Sequence, residues 1–386
     1  MTTPDVAIVG GGIVGTTLAV ELARRGRRVV LHERGVVAAG ASGRNSGAVW
    51  RPTDRVLEAL YLETLGRYRA LPADLAAHLP PGAPARRFRL GDEPAGLLTL
   101  GFDEAGLAAQ ARAEAAAFPD LGVRYVPPEE LRRLEPSLAP GLAAIRAEIA
   151  FPVAPAAATQ AMAALARALG ADVRENSPVR RVAVEAGWAT GVLLDDGSVA
   201  TAGTVVVAAG PWTPAVIDPG GSWRPIRPMW GVVVELALGD RAPSHVLEAG
   251  VVDVHGAELP ESGFSLVTAG GRSSMGSTYL AEPPNPAAWE PRLRAQGARY
   301  VPAITGAPTT GLRACARPVS LDGRPLAGPV PGVTGLFVAA GHGPWGLSTG
   351  PATAAHVAAL VAGEADPRPP MVAAATAADR FGSPPA

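Results

Sequence analysis

Asp5-Val6-Ala7-Ile8-Val9-Gly10-Gly11-Gly12-Ile13-Val14-Gly15 begins the stretch that decides the fold, and the stretch runs on to Glu33. Four apolar residues, Val6 to Val9, read as a buried strand, and a glycine turn follows. The spacing predicts an amphipathic helix over roughly 15–25, then Gly26 and a second strand over 28–32, so the unit is a compact βαβ. Gly10, Gly12 and Gly15 form G-x-G-x-x-G. Gly10 permits the tight turn, Gly12 lets a pyrophosphate approach the backbone where Ile13 and Val14 open the helix, and Gly15 lets helix and strand pack closely. Glu33, 23 residues after Gly10, ends the second strand, where a carboxylate accepts from ribose hydroxyls and disfavours a phosphorylated ribose. A glycine turn without a ligand is the alternative, and the set of strand, helix, second strand and acidic cap argues against it. The motif alone does not separate flavin from nicotinamide dinucleotides.

Outward from this unit, the chain has 386 residues, 48% of them apolar, and a formal net charge of -1. That length accommodates two cores in one body. The near-neutral, dispersed charge offers no basic face for nucleic acid or anionic lipid, which leaves small-molecule chemistry. All 34 cationic side chains are arginine, so no Schiff base or amine nucleophile is available. Cys315 is the lone cysteine, which excludes an internal disulfide and a cysteine-based zinc site and fits a reducing compartment. The first apolar run is too short for a signal core and no other is clean enough to span a bilayer, so the expected location is the cytoplasm.

Further along, 154–169 reads as an alanine-rich helix, followed by strands over 179–184 and 189–194 with Asp195-Asp196-Gly197 as a hairpin turn. Residues 205–208 and 335–340 read as buried strands, and 349–362 as a helix. Proline and glycine break the periodicity over 80–95 and 211–228, where excursions between two domains are expected. The alanine- and proline-rich tail after Gly363 is expected to be loose.

Four further segments resemble the family of D-amino-acid oxidase, glycine oxidase and monomeric sarcosine oxidase, all FAD-dependent. Gly40-Ala41-Ser42-Gly43-Arg44-Asn45-Ser46-Gly47 is similar to the small-residue loop with which that family wraps the flavin. The segment from Thr204 to Trp212, including Ala209 and Gly210, resembles its strand returning to the cofactor. Arg317-Pro318-Val319-Ser320-Leu321-Asp322-Gly323-Arg324-Pro325 resembles its R-P-x-x-x-D-G-x-P segment, and Gly335 to Gly343 its last strand and loop. The resemblance implies an α/β fold, a Rossmann-type FAD-binding domain with an inserted β-sheet-rich substrate domain. The expected division is 1–85, 150–215 and 318–375 for FAD, 86–149 and 216–317 for substrate, and a loose tail at 376–386. It further implies cofactor contacts from Arg34, Val179, Gly341, Gly343, Pro344, Trp345, Gly346, Leu347, Ser348 and Thr349, the last of these at a helix start whose positive dipole end stabilises charge on reduced flavin.

In this family the position of Arg317 grips the substrate carboxylate, for which a bidentate guanidinium is suited; the alternative is a structural ion pair with Asp322. Cys315 falls where sarcosine oxidase attaches its flavin by a thioether, but a small buried apolar role is the favoured reading, so the expected FAD is non-covalent. Sarcosine oxidase's lysines align near Ser274 and Ser348, so its mechanism does not transfer in detail. His342 either neighbours the flavin or is satisfied by backbone; Trp345 and Trp230 either wall an amine pocket or are simply buried. Arg51 and Arg44 follow the flavin loop and are candidates for phosphate or substrate contact. No metal is expected. The implied reaction is transfer of hydride from the amine-bearing carbon of a small amine or amino acid to flavin, giving an imine that water hydrolyses, with oxygen or another acceptor reoxidising the cofactor. The rivals are an amine or amino-acid dehydrogenase or biosynthetic oxidase with another acceptor or a larger substrate, an idle FAD-binding protein, and a NAD dehydrogenase, for which no nicotinamide-side catalytic pair is evident.

Overall fold

In the computed structural model, residues 3–250 and 261–384 are described; residues 1–2 of the expected FAD domain, 251–260 of the expected substrate domain and 385–386 of the tail lie outside them. Two sheets organise the chain. The first has six strands in the order Leu326–Pro329, Leu336–Ala340, Thr204–Val207, Val6–Val9, Val29–His32 and Asp172–Arg174. All its pairings are parallel except that of Leu326–Pro329 with its neighbour. Strand residues of this sheet alternate between two cores, as the two-residue period requires. Val6 and Ile8 pack with the helices Ile13–Arg24 and Ala157–Ala168, while Ala7 and Val9 pack with Val182, Ala189 and Val192 of the antiparallel strands Val179–Glu185 and Trp188–Leu194.

The second sheet has eight strands in the order Thr309–Ser320, Ile226–Leu236, Arg272–Thr278, Ser262–Ala269, Val246–Ala249, Leu97–Gly101, Ala143–Ala147 and Arg124–Val126. One face is apolar: Val232, Val234, Leu247, Leu266, Met275 and Leu98 pack with Leu293 of the helix Pro286–Ala298. By alternation the other face presents Val233, Glu248, Ser265, Val267 and Thr99, and these line a cavity facing the first sheet. The fold is thus a Rossmann-type α/β domain carrying an inserted sheet-rich body. Among the described residues no helix is long and apolar enough to cross a membrane.

The helix Gly346–Ala362, which begins three residues earlier than its periodicity suggests, is held at its start by chemistry that its own sequence dictates. Pro351 has no N–H to give the Leu347 carbonyl four residues back. The hydroxyl of the fully buried Tyr68, on the helix Arg55–His78, donates to that carbonyl at 3.0 Å. The next amide, of Ala352, donates to Thr64 Oγ1 at 3.1 Å. Two helices are thereby fixed to each other at the cavity's edge.

Over its described residues the tail is not loose. It forms the helix Pro370–Thr376 and the 3-10 turn Ala378–Phe381, with Ala378 buried against the first sheet's core. Arg368 donates to the Ala327 carbonyl at 2.7 Å, and Arg380 pairs with Asp322 at 2.8 Å and donates to the Arg324 carbonyl at 2.7 Å. Low complexity concealed these anchors, since each partner lies more than forty residues away.

Candidate functional site

A cavity of about 1040 Å³ runs between the two sheets. This is at the upper end of small-molecule sites, about 300–1,000 Å³. One end is built from the glycine turn. Gly10 has φ +112°, and a Cβ there would stand 2.5 Å from the Ala208 carbonyl oxygen. A Cβ on Gly15 would stand 1.9 Å from the oxygen of Gly10, so Gly15 sits behind the turn and lets the helix close on it, without lining the cavity. A Cβ on Gly12 would meet only the Ser42 side chain, at 3.1 Å, leaving the backbone open to the cavity. Gly11, which the motif leaves free, is also constrained, since its Cβ would come within 2.9 Å of Glu33 Cβ. The amide of Ile13 donates to Ser42 Oγ at 3.0 Å, and those of Val14 and Gly15, in the first helical turn, have no intrahelical partner.

Glu33 lines the cavity, accepting from the amides of Gly11 at 2.6 Å and Gly35 at 2.9 Å. A carboxylate has about four lone-pair sites, so capacity remains for hydroxyl donors. Ala41, Ser42, Arg44, Asn45, Ser46 and Gly47 all face the cavity, and Asn45 shapes the loop: its Nδ2 donates to the carbonyls of Ala41 and Ser42 at 3.0 and 2.9 Å, and its Oδ1 accepts from Gly47 N at 2.7 Å. Arg313 ties this loop to the second sheet, donating to Asn45 O at 3.1 Å and Ser274 Oγ at 2.7 Å. Val179, Ala209, Gly210 and Trp212 close the wall, with the Arg34 guanidinium 3.6 Å over the Trp212 ring.

The other end brings together His342, Gly343, Pro344, Trp345, Gly346 and Leu347 with Cys315, Arg317, Trp230, Trp50, Tyr279, Ser277, Ser265 and Glu248. Three expected cofactor residues do not line it. Gly341 lies beneath the loop at φ +88°, Ser348 accepts from Trp50 N at 3.0 Å, and Thr349 donates to Trp345 O at 2.8 Å. Arg51 lines the cavity, but Glu58 and Asp120 hold its guanidinium, so its charge is already matched. Arg44 donates to Ala314 O at 3.4 Å and otherwise faces the space.

Arg317 makes no ion pair among the described residues. Asp322, the alternative partner, is taken by Arg380. The Arg317 guanidinium instead donates to the Thr278 carbonyl at 2.9 Å and to the Ser277 hydroxyl, and lies 5.3 Å over the Tyr279 ring. Two neutral contacts aim the cation and leave its charge unmatched. Gly231 makes room for it, since a Cβ there would come within 2.5 Å of Arg317 Nη2. The Cys315 thiol is buried, which pushes its pKa up. His342 is 2% exposed and burial pushes its pKa down to about 3, so the ring is neutral. His342 Nε2 and Trp345 Nε1 are buried without a hydrogen-bond partner among the described residues. Burial pushes Glu248 up to about 8.

Sequence reasoning missed Tyr279, Ser277, Ser265, Trp50 and Glu248. For Glu248 a trace existed: it is the one acid in the apolar strand Val246–Ala249, on the face opposite Leu247.

The glycine cradle, the acidic cap and the amides at the start of the helix Ile13–Arg24 together fit a dinucleotide. A family model described as FAD dependent oxidoreductase matches residues 5–360. Glycine oxidase of Geobacillus kaustophilus is 29% identical over 382 residues, covering 92% of each chain. The crystal structure of glycine oxidase from that organism superposes with a TM-score of 0.83 at 26% identity, over 98% of this chain and 99% of that one. Iminodiacetate oxidase from a Chelativorans species superposes with a TM-score of 0.80 at 25% identity, over 99% of this chain and all of that one. The chain belongs to this family, and it is an FAD-dependent oxidoreductase.

Proposed function

We propose that the enzyme oxidises the C–N bond of a small amino acid, yielding an imine that hydrolyses in water, with oxygen as the electron acceptor. The observation that carries this reading is the unmatched Arg317 guanidinium in the cavity wall. A carboxylate is the planar anion that matches it. The names of the similar proteins, glycine oxidase and iminodiacetate oxidase, support a carboxylate-bearing amine as substrate.

FAD, when bound, takes the two electrons released from the amine-bearing carbon. Its pyrophosphate would be held by the backbone at Gly12, Ile13 and Val14 and by Ser42, and its ribose by Glu33. The 41–47 loop, Ala209, Gly210 and the segment 343–347 would hold the rest, with the start of the Gly346–Ala362 helix favouring negative charge beside it. Arg317 anchors the substrate carboxylate and so orients the α-carbon. Trp50 and Trp345, with ring centroids 6.1 Å apart, exclude water from the same space. His342, neutral, adds no positive charge that would oppose a substrate amine. No side chain is nominated as a base, since a substrate that enters as the free amine needs none.

This reading predicts that an α-amino acid is preferred over the amine lacking its carboxylate by about 10-fold or more in kcat/KM, the scale of one charge-assisted hydrogen bond. Comparable values for the two would sink it. A buried thiol with a raised pKa is a poor nucleophile. Flavin is therefore non-covalent, and acid precipitation leaves the yellow colour in the supernatant; colour in the pellet would make Cys315 an attachment point. A cytoplasmic location belongs to the same reading, supported by the lone, reduced cysteine.

A further inference from the structure

Arg51 and Asp120 meet from the two bodies of the fold, and the backbone around each is fixed. Arg51 follows the short strand Ala48–Val49, which pairs with Phe151–Pro152. On one side of it Trp50 N donates to Ser348 Oγ at 3.0 Å. On the other, Asp54 caps the helix Arg55–His78, its carboxylate accepting from the amides of Val56 and Leu57 at 2.9 and 3.0 Å. Glu58, in the first turn of that helix, accepts from Arg51 Nε at 2.8 Å, which holds the guanidinium to the FAD-binding body. Arg51 Nη2 also donates to Asp120. Asp120 belongs to the other body, on the 3-10 turn Pro119–Leu121 between the helix Glu104–Ala117 and the edge strand Arg124–Val126. The next residue, Leu121, is buried, and its carbonyl accepts from Glu148 N at 2.7 Å.

This contact lies where the cavity meets solvent. Arg51 lines the cavity, and so do Phe118 and Leu121 on either side of Asp120. Thr53 and Gln110 line it as well and are exposed, the first two residues from Arg51 and the second on the helix that leads to the turn of Asp120. The Arg51 side chain is 18% exposed and that of Asp120 62%, so the pair has one partner in the wall and the other in water. Exposed ion pairs are weak and screened by salt. Such a pair adds little to the stability of the fold, and thermal motion breaks and remakes it readily. We propose that Arg51 and Asp120 form a clasp over the cavity mouth, which parts to admit substrate and to release product. The inference goes beyond the reaction proposed above, since it concerns passage and holds whichever amine is oxidised. Glu58 keeps the guanidinium aimed while Asp120 is away, so the clasp re-forms from a prepared position. Closed, it joins the two bodies at the mouth and keeps bulk water from the space that Trp50 and Trp345 line.

The test mixes the FAD-loaded enzyme rapidly with benzoate and reads association and dissociation rates from the visible flavin spectrum. Only the open form exchanges ligand. Asp120→Asn is therefore expected to raise both rates by the same factor, about twofold to fivefold, the scale of one exposed ion pair, and to leave the dissociation constant unchanged. Added to Arg51→Gln, the same change is expected to leave the dissociation rate where it was, because the contact is already gone. Salt at about 0.5 M is expected to close the gap between wild type and Asp120→Asn by speeding the wild type. Acrylamide, a neutral quencher of flavin emission, reads the mouth with no ligand present and is expected to quench Asp120→Asn more steeply. Retained flavin and an unchanged thermal midpoint certify the variants as folded. Equal rates in wild type and Asp120→Asn would overturn the proposal. So would faster association with unchanged dissociation, which would mean that losing Asp120 only leaves Arg51 to attract anions. If benzoate does not perturb the flavin, the carboxylate reading of Arg317 fails and acrylamide decides the clasp: equal quenching of the two proteins overturns it.

Discussion

Replacing Arg317 with Leu is expected to lower kcat/KM for carboxylate-bearing substrates by about 100-fold, chiefly through KM, while FAD stays bound. Among the described residues the guanidinium is anchored by two neutral acceptors, the Thr278 carbonyl and the Ser277 hydroxyl. Leucine leaves these two groups with room for water from the cavity, so the loss falls on the ligand and not on the fold. Two charge-assisted hydrogen bonds at about 1.5–3 kcal/mol each, less the part that water recovers, give about 3 kcal/mol, or two powers of ten. Amines without a carboxylate should be almost indifferent to the change. Steady-state kinetics on an amino acid and its decarboxylated amine check this, and a parallel fall for both would move Arg317 from anchoring to a role in packing the sheet.

The second large effect is expected at Gly15. Its Cβ would have to occupy a point 1.9 Å from the Gly10 carbonyl oxygen, and both atoms belong to backbone, so no side chain can yield. Gly15→Ala must part the helix Ile13–Arg24 from the strand Val6–Val9, opening contacts of Ile8 and Leu18 in the main core. The cost is expected at or beyond the top of the about 1–3 kcal/mol range for overpacked sites, together with loss of bound flavin. Gly66 is the control. It lies exposed within the helix Arg55–His78 with open space around its Cβ position, and Gly66→Ala should stabilise by about 0.5–1 kcal/mol. Thermal midpoints of the two variants, with flavin content, decide the matter; a Gly15→Ala enzyme as stable and yellow as the wild type would refute the account of the turn.

The contrast between these two glycines shows which parts of the molecule were legible in the sequence. The turn, its helix and its acidic cap lie within thirty residues, so spacing alone carried them, and the loop at Ala41–Gly47 followed by resemblance. Arg317 was legible as a residue type in a motif, but its freedom was not: that depended on Arg380 claiming Asp322 from a tail read as loose. Arg51 was legible as a cation near the flavin loop, while its pairing with Glu58 and Asp120 was not. Ser348 and Thr349 share the helix start with Leu347, yet helical rotation turns them away from the cavity, toward Trp50 N and Trp345 O. Glu248, Ser265 and Tyr279 come to Arg317 only through the order of strands in the second sheet, which no local pattern encodes.

The most direct test of the central claim is anaerobic mixing of the FAD-loaded enzyme with amino acids, followed at the flavin's visible absorbance. Bleaching by an α-amino acid, with release of ammonia and the corresponding keto acid, is the predicted result. Flavin that stays oxidised with every amino acid and amine, in a folded protein that binds their carboxylate analogues, would contradict it.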